Sequence, residues 1–190
     1  RRAGSLGDVG VFGFYPNKQI TTGEGGMIVT DDEEVARITR SMRNQGRGEG
    51  AGWLTHERMG YNFRLSDVNC ALGLAQIRRI EEILSRRTRV AEMYLRRLAG
   101  DDRLRVQKIV PHVSMSWFVF VVRLADRYSE ADRDRIMGEL RAKQIGCNKY
   151  FTPIHLQPYM RERFGFKAGD FPVCEAVASR TIALPFHGGL

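Results

Sequence analysis

The chain has 190 residues, 43% of them hydrophobic and 27% charged, and carries a formal net charge of +8. Such a chain is globular, buries a real core, and forms one large domain or two small ones. No apolar run approaches the roughly 18–20 residues of a membrane helix, and nothing at the N-terminus reads as a signal peptide. Cys70, Cys147 and Cys174 are far apart, odd in number and form no C-x-x-C. That argues for reduced thiols in a cytoplasm and against a disulfide frame or a zinc site. The positive balance favours anionic partners: nucleic acid, phosphate-bearing small molecules and an acidic membrane surface all qualify. Much of the arginine falls within residues 78–105, on what reads as a helix, where a solvated face is the plain explanation.

The chain opens on "RRAGSLGDVG" and stops at "TIALPFHGGL", a strand and turn with no closing element, so part of a longer protein is expected to be missing at both ends. In chain order, residues 9–14 read as a short buried strand, 21–26 as a loop and 27–30 as a second strand. Asp31 and Asp32 are N-cap candidates, Val35, Ile38, Thr39 and Met42 follow helical spacing, and Gly46 is the expected C′ stop. Residues 46–60 hold five glycines and read as a loop. Ser66 or Asp67 caps a helix expected to run to about Leu98. Its first turns are small (Cys70, Ala71, Gly73, Ala75), which suits close packing, and Ile77, Ile80, Leu84, Met93, Tyr94 and Leu98 form an apolar stripe. Residues 116–124 read as a strong strand, and Ser129 with Asp132 as a capping box opening a helix to about Lys143 that Gly146 ends. A strand over 147–151, a loop and short helix in "PIHLQPYMRERFG", a helix over 172–179 and a strand over 181–184 complete an α/β or α+β body in two parts.

One lysine stands apart. Lys18 lies in "VFGFYPNKQITTGEGGMIVT", with Phe12, Phe14 and Tyr15 around it and Pro16 fixing the backbone. Apolar surroundings disfavour the charged ammonium, which makes a usable amine nucleophile of the Schiff-base kind. The glycines after it let backbone N–H groups approach a ligand. The stretch is not a phosphate loop of the G-x-x-x-x-G-K-[ST] type, because the lysine precedes the glycines.

Three stretches carry a resemblance. "GDVGVFGFYPNKQITTGEGGMIVTDDEEVARITRSMRNQG" resembles the core signature of the DegT/DnrJ/EryC1/StrS family of pyridoxal-phosphate sugar aminotransferases. "MGYNFRLSDVNCALGLAQIRRIEEILSRR" resembles that family's second signature, and "YFTPIHLQP" a third. The resemblance implies an α/β fold of the aspartate-aminotransferase-like type (fold type I), with a mostly parallel sheet in a large domain, a smaller C-terminal domain and active sites shared across a homodimer. Residues 1–100 would be the C-terminal part of the large domain with a long connecting helix, and 101–190 the small α+β domain.

Residue by residue, Lys18 matches the lysine that holds pyridoxal 5'-phosphate covalently and acts in catalysis. Members with histidine there dehydrate, so lysine implies transamination. Asn62, in "GYNFR", matches an asparagine that reaches the partner subunit's cofactor phosphate, which suits an amide donor. Arg64 matches an arginine facing the partner's site, where a guanidinium pairs with a substrate carboxylate or phosphate. Tyr150 and His155 fall in the segment that lines the sugar side of the pocket. No metal site is expected. Each residue also has a plain explanation: Asn62 capping a turn, Arg64 on a solvated surface, His155 packed in a loop. Gly13 stands where many members carry a serine whose hydroxyl binds the cofactor phosphate, so that contact is absent. Family members are much longer, and the absent first half would supply the aspartate at the pyridine nitrogen, the aromatic stacked on the ring and most of the large sheet.

The implied reaction moves an amino group from an amino acid, expected to be L-glutamate, to a nucleotide-linked keto sugar, expected to be a 4-keto-6-deoxyhexose, with Lys18 as general base and acid. It would serve amino-sugar, cell-surface polysaccharide or antibiotic biosynthesis in the cytoplasm, without nucleic acid or membrane partners. Two other readings stay open: a regulatory or nucleic-acid-binding protein on the same fold, and an inactive fragment acting only as a dimerisation partner.

Overall fold

The computed structural model describes residues 1–50 and 52–190; Ala51, within the glycine-rich loop, lies outside the described residues. The chain divides into two compact units, Arg1–Ile80 and Glu81–Leu190.

The first unit starts with a hairpin. Strands β1 (Gly10–Gly13) and β2 (Gly26–Val29) pair antiparallel, with Gly10 opposite Val29 and Gly13 opposite Gly26. The strand expected to be buried is not: Val11 is 76% exposed and Phe12 40%. A strand's side chains are buried only where another layer packs on the face of its sheet, and this ribbon's faces are left exposed. Helix α1 (Glu33–Arg43) starts where Asp32 caps it, its Oδ1 accepting from the Glu34 and Val35 N–H groups at 2.8 and 3.0 Å. At the other end Gln45, not Gly46, takes the left-handed C′ conformation, with φ 62°. Gly46 follows at φ 78°, and a Cβ there would collide with the Arg58 carbonyl, so the glycine serves a close approach of two backbone segments.

The long helix expected from Ser66 is two helices. Helix α2 (Asp67–Ile77), capped by Ser66, ends at a turn over Arg78 and Arg79, and α3 (Ile80–Leu98) follows. At the break the Arg78 N–H still bonds Leu74 O four residues back, but the Arg79 N–H bonds Gln76 O three back, which tightens the last turn and redirects the chain. Helix α2 buries no residue fully, and Val68, Leu72, Leu74 and Ile77 are exposed.

The second unit is a four-stranded antiparallel sheet in the order β3 (Leu104–Arg105), β4 (Phe120–Leu124), β6 (Thr181–Leu184), β5 (Asn148–Lys149). Strand β4 is shorter than residues 116–124 because its partner β6 is short and pairs only Phe120 to Arg123. Its alternation buries Phe120, Val122 and Leu124 on one face. They join Ala91 of α3, Trp117, Met137, Cys147 and Ile182 in the core, with the Tyr94 ring 4.7 Å from that of Phe120. Helix α4 (Glu130–Ala142) opens on the expected capping box, and the Ser129 N–H holds the Asp132 carboxyl below its ordinary pKa. A 3-10 turn (Ile154–Leu156) and helices α5 (Pro158–Phe164) and α6 (Pro172–Ala178) lead back to β6. Among the described residues every ladder is antiparallel, and no helix is long and apolar enough to cross a membrane.

One charge is buried in this unit. The Arg133 side chain is 2% exposed and donates to Glu130 at 2.6 Å, Asp134 at 2.8 Å and the Ala178 carbonyl at 2.9 Å. Both carboxylates are themselves well exposed, so removing the arginine leaves solvated acids and an Ala178 carbonyl whose remaining partner is Thr181 Oγ1 at 3.3 Å. Arg133→Ala should therefore cost about 1–3 kcal/mol, through the lost packing of the buried stem and the weakened satisfaction of that carbonyl. Phe120→Ala, which empties the centre of the core, should cost about 3–5 kcal/mol. Denaturant midpoints of the two variants check the order; equal losses would mean that Arg133 is more than a local tie.

Candidate active site

Lys18 sits on the loop that joins β1 to β2. The Lys18 N–H donates to Tyr15 O at 3.0 Å, closing a turn with Pro16 at the position proline favours. The loop is drawn shut behind it. The Phe14 N–H donates to Gly25 O at 2.8 Å, and the Phe14 carbonyl accepts from the Thr22 N–H at 3.1 Å and from Thr21 Oγ1 at 2.8 Å. Thr21 Oγ1 also accepts from the Gly23 N–H at 2.9 Å, and Thr22 Oγ1 donates to Glu24 O at 2.7 Å.

Helix α2 braces this loop. The Gln76 amide oxygen accepts from the Thr21 N–H at 3.1 Å, and its amide nitrogen donates to the Thr21 carbonyl. One side chain thereby satisfies both backbone groups of a residue 55 positions away. Thr22 is 4% exposed, and a Cβ on Gly73 would stand 3.0 Å from its methyl carbon. The small start of α2 thus packs against the lysine loop, as its residue sizes suggest. Lys18 itself is half-buried, and around Gly13 no heavy atom lies within 4 Å of where a Cβ would stand.

The second signature forms a short strand-like segment at the end of α1. The Tyr61 N–H donates to Met42 O at 2.6 Å, the Phe63 N–H to Arg43 O at 2.9 Å, and the Gln45 N–H to Tyr61 O at 2.8 Å. The last two bonds bracket an antiparallel bridge between Asn44 and Asn62. Residues opposed in that way share one face, so Asn44 and Asn62 stand side by side, with Arg64 two positions on along the same face. Arg64 Nη1 donates to Asn44 Oδ1 at 2.9 Å. Tyr61 and Phe63 take the other face, where their rings stack at 4.8 Å with 3° between planes. The glycine-rich loop closes on the same anchor: the Glu57 N–H donates to Gly46 O at 2.8 Å, and His56 Nδ1 bonds Gln45 O at 2.7 Å. The structure therefore brings Asn62 and Arg64 together through Asn44, while Lys18 stands on a separate loop of the same unit.

Tyr150 and His155 belong to the second unit. Tyr150, half-buried just after β5, accepts at its carbonyl from Thr181 Oγ1 at 2.7 Å. His155 is 7% exposed, its ring 4.6 Å from that of Phe171, and its Nε2 lies 2.9 Å from Glu175 Oε1. Glu175 also accepts from the Gly169 N–H at 2.9 Å and the Phe171 N–H at 3.3 Å. The Gly169 N–H above all, and then His155, hold the Glu175 carboxyl below its ordinary pKa.

Sequence reasoning missed Gln76, Asn44 and Glu175. A glutamine among the small residues of α2 was a usable signal for the first; nothing local marks the other two.

The fold is that of the sugar aminotransferases. The structure matches a putative sugar aminotransferase, Spr1654 from Streptococcus pneumoniae, in its PLP-form, with a TM-score of 0.92 and 26% identity over 100% of this chain and 49% of that one. It matches S. venezuelae DesV with a TM-score of 0.88 and 30% identity, over 100% of this chain and 49% of that one. All 190 residues match the model of the DegT/DnrJ/EryC1/StrS aminotransferase family, and the chain belongs to that family. A GDP-perosamine synthase of Caulobacter vibrioides is 35% identical over 100% of this chain and 50% of its own length. The spore coat polysaccharide biosynthesis protein SpsC of Bacillus subtilis is 30% identical over 98% of this chain and 51% of its own length. The chain thus spans about half the length of the curated relatives it matches.

Because the folded carboxyl of Glu175 titrates below its ordinary value of 4.5, its ties stabilise the folded state above that value and are lost as pH falls through the lower one. Glu175→Gln should flatten this acid limb. Unfolding midpoints followed from neutral to acid pH check it; an unchanged limb would show that other carboxyls set acid stability.

Proposed function

We propose that the protein containing this chain is a pyridoxal-phosphate-dependent aminotransferase that moves an amino group from L-glutamate to a nucleotide-linked 4-keto-6-deoxyhexose. The observation that carries the proposal is the placement of Lys18 on a hairpin loop drawn shut by its own threonines and braced by Gln76. The open space at Gly13 leaves room beside that loop for the cofactor, and its phosphate would be met by backbone N–H groups where a serine hydroxyl is lacking. Pyridoxal phosphate, when bound, supplies the electron sink for the carbon that gives up its proton. Lys18 Nζ anchors the group and carries the proton away from the donor Cα, which a braced loop allows it to do from a fixed position.

Asn62 and Arg64 are assigned to the neighbouring subunit's site in a homodimer, Asn62 as an amide donor to the cofactor phosphate and Arg64 as a cation for a substrate anion. Tyr150 is assigned to the sugar side of the pocket. His155 is assigned there as well, oriented by Glu175. Residues 1–100 are assigned to the large domain with its long connecting helix and 101–190 to the small one; within the second compact unit that helix packs Ala91 into the core. The relatives named above, a GDP-perosamine synthase and a polysaccharide biosynthesis protein, support the substrate class.

Borohydride treatment of the full-length protein should leave a cofactor adduct on the peptide containing Lys18, and Lys18→Ala should abolish both the adduct and turnover. An adduct on Lys149 or Lys167 instead would sink the assignment. The shared site is tested by mixing two inactive variants, Lys18→Ala and Arg64→Ala. With half of the dimers mixed, activity should return to about a quarter of wild type, since one site per mixed dimer is intact. Verified subunit exchange with no recovery would place Arg64 outside the neighbour's site.

A further inference from the structure

Asn44 has no role in the reaction as described, yet it touches both residues assigned to the neighbour's site. It faces Asn62 across the bridge and accepts from Arg64 Nη1 at 2.9 Å. A guanidinium only donates, so the amide must present its oxygen.

The helix end does not explain an asparagine here. Asn44 caps α1 through its backbone, whose N–H donates to Ser41 O, and any residue but proline does that. Asparagine is favoured near helix ends when the chain turns left-handed, but Asn44 has φ −110°, and the left-handed position belongs to Gln45. Its side chain is therefore free for another task.

We propose that Asn44 is a positioning residue that aims Arg64 at an anionic group and, being a neutral amide, leaves the guanidinium charge intact for that group. The proposal rests on Arg64 receiving a substrate anion. Arg64 is exposed, and among the described residues it makes no ion pair. Elsewhere on α1 the chain does the opposite: Arg37 is gripped by both oxygens of Glu34, at 2.7 and 2.8 Å, and is neutralised in place. A carboxylate at position 44 would hold Arg64 as firmly and spoil it as a receiver. The bridge with Asn62 and the backbone caps on α1 fix the Asn44 backbone, so the oxygen it presents to Arg64 comes from a rigid base. The anion is a carboxylate or a phosphate, and both chemistries suit a guanidinium.

The test uses the full-length, cofactor-loaded protein and two probes, inorganic pyrophosphate and 2-oxoglutarate, titrated by calorimetry, with thermal midpoints and cofactor absorbance recorded for each variant. Arg64→Ala should weaken one probe, and that probe names the source of the anion. Asn44→Asp should weaken the same probe about tenfold while the thermal midpoint holds or rises, because a new ion pair forms as the receiver is lost. Asn44→Ala, which frees the guanidinium but keeps its charge, should weaken it by only about threefold, and it carries the test if the aspartate variant does not fold. In the Arg64→Ala background neither change should add anything. Wild-type affinity in Asn44→Asp, or a loss that persists without Arg64, overturns the role of Asn44 and leaves Arg64 as receiver. Wild-type affinity for both probes in Arg64→Ala overturns the two together.

Discussion

The carbonyl groups at the end of α1 need donors, and meeting that need organises the site-bearing half of the chain. A helix leaves its last carbonyls without partners, and here those of Ser41, Met42 and Arg43 are met by Asn44 and Gly46, by Tyr61 and by Phe63. The partners of the last two are the backbone of the second signature. Capping the helix therefore fixes the strand that carries Asn62 and Arg64, and alternation along that strand sends its aromatics to one face and its polar groups to the other. Gly46 and Gly60 let the two segments approach closely, since a Cβ on either would meet the other's backbone region.

The lysine loop depends on a different economy of hydrogen bonds. A loop between two short strands has many backbone groups to satisfy, and this one satisfies them with its own threonines and one glutamine from α2. The result holds a lysine at a defined place without a strand beneath it. Glycines at 23 and 25 take positive φ, which lets the chain double back within the loop.

The second unit works by ordinary burial around Phe120, but two charged contacts pin its periphery. Arg133 ties α4 to the Ala178 carbonyl at the end of α6. Glu175 gathers the Gly169 and Phe171 N–H groups and the His155 ring, so the loop after Phe164 is held against the 3-10 turn. The segment that resembles the family's third signature is thereby tied down by hydrogen bonds on the side where His155 lies.

Sequence alone determined what depends on near neighbours and on residue type. Ser129 was legible as a cap, and Asp32 and Ser66 as caps alongside their neighbours Asp31 and Asp67, because a cap bonds to N–H groups two or three residues away. The existence of β4 as a strand, the place of Lys18 among aromatics and glycines, and the family itself were legible for the same reason, since motif and composition are local. The break after Ile77 and the exposure of β1 were not, because a continuous helical pattern does not say where a turn tightens, and an apolar run does not say whether anything covers it. The tertiary structure alone decided the partnerships: Gln76 with Thr21 across 55 positions, Arg64 with Asn44 across 20, and His155 with Glu175 across 20. Each is a hydrogen bond whose energy depends on an approach of a few tenths of an ångström, and only the folded chain sets such distances between residues far apart in sequence.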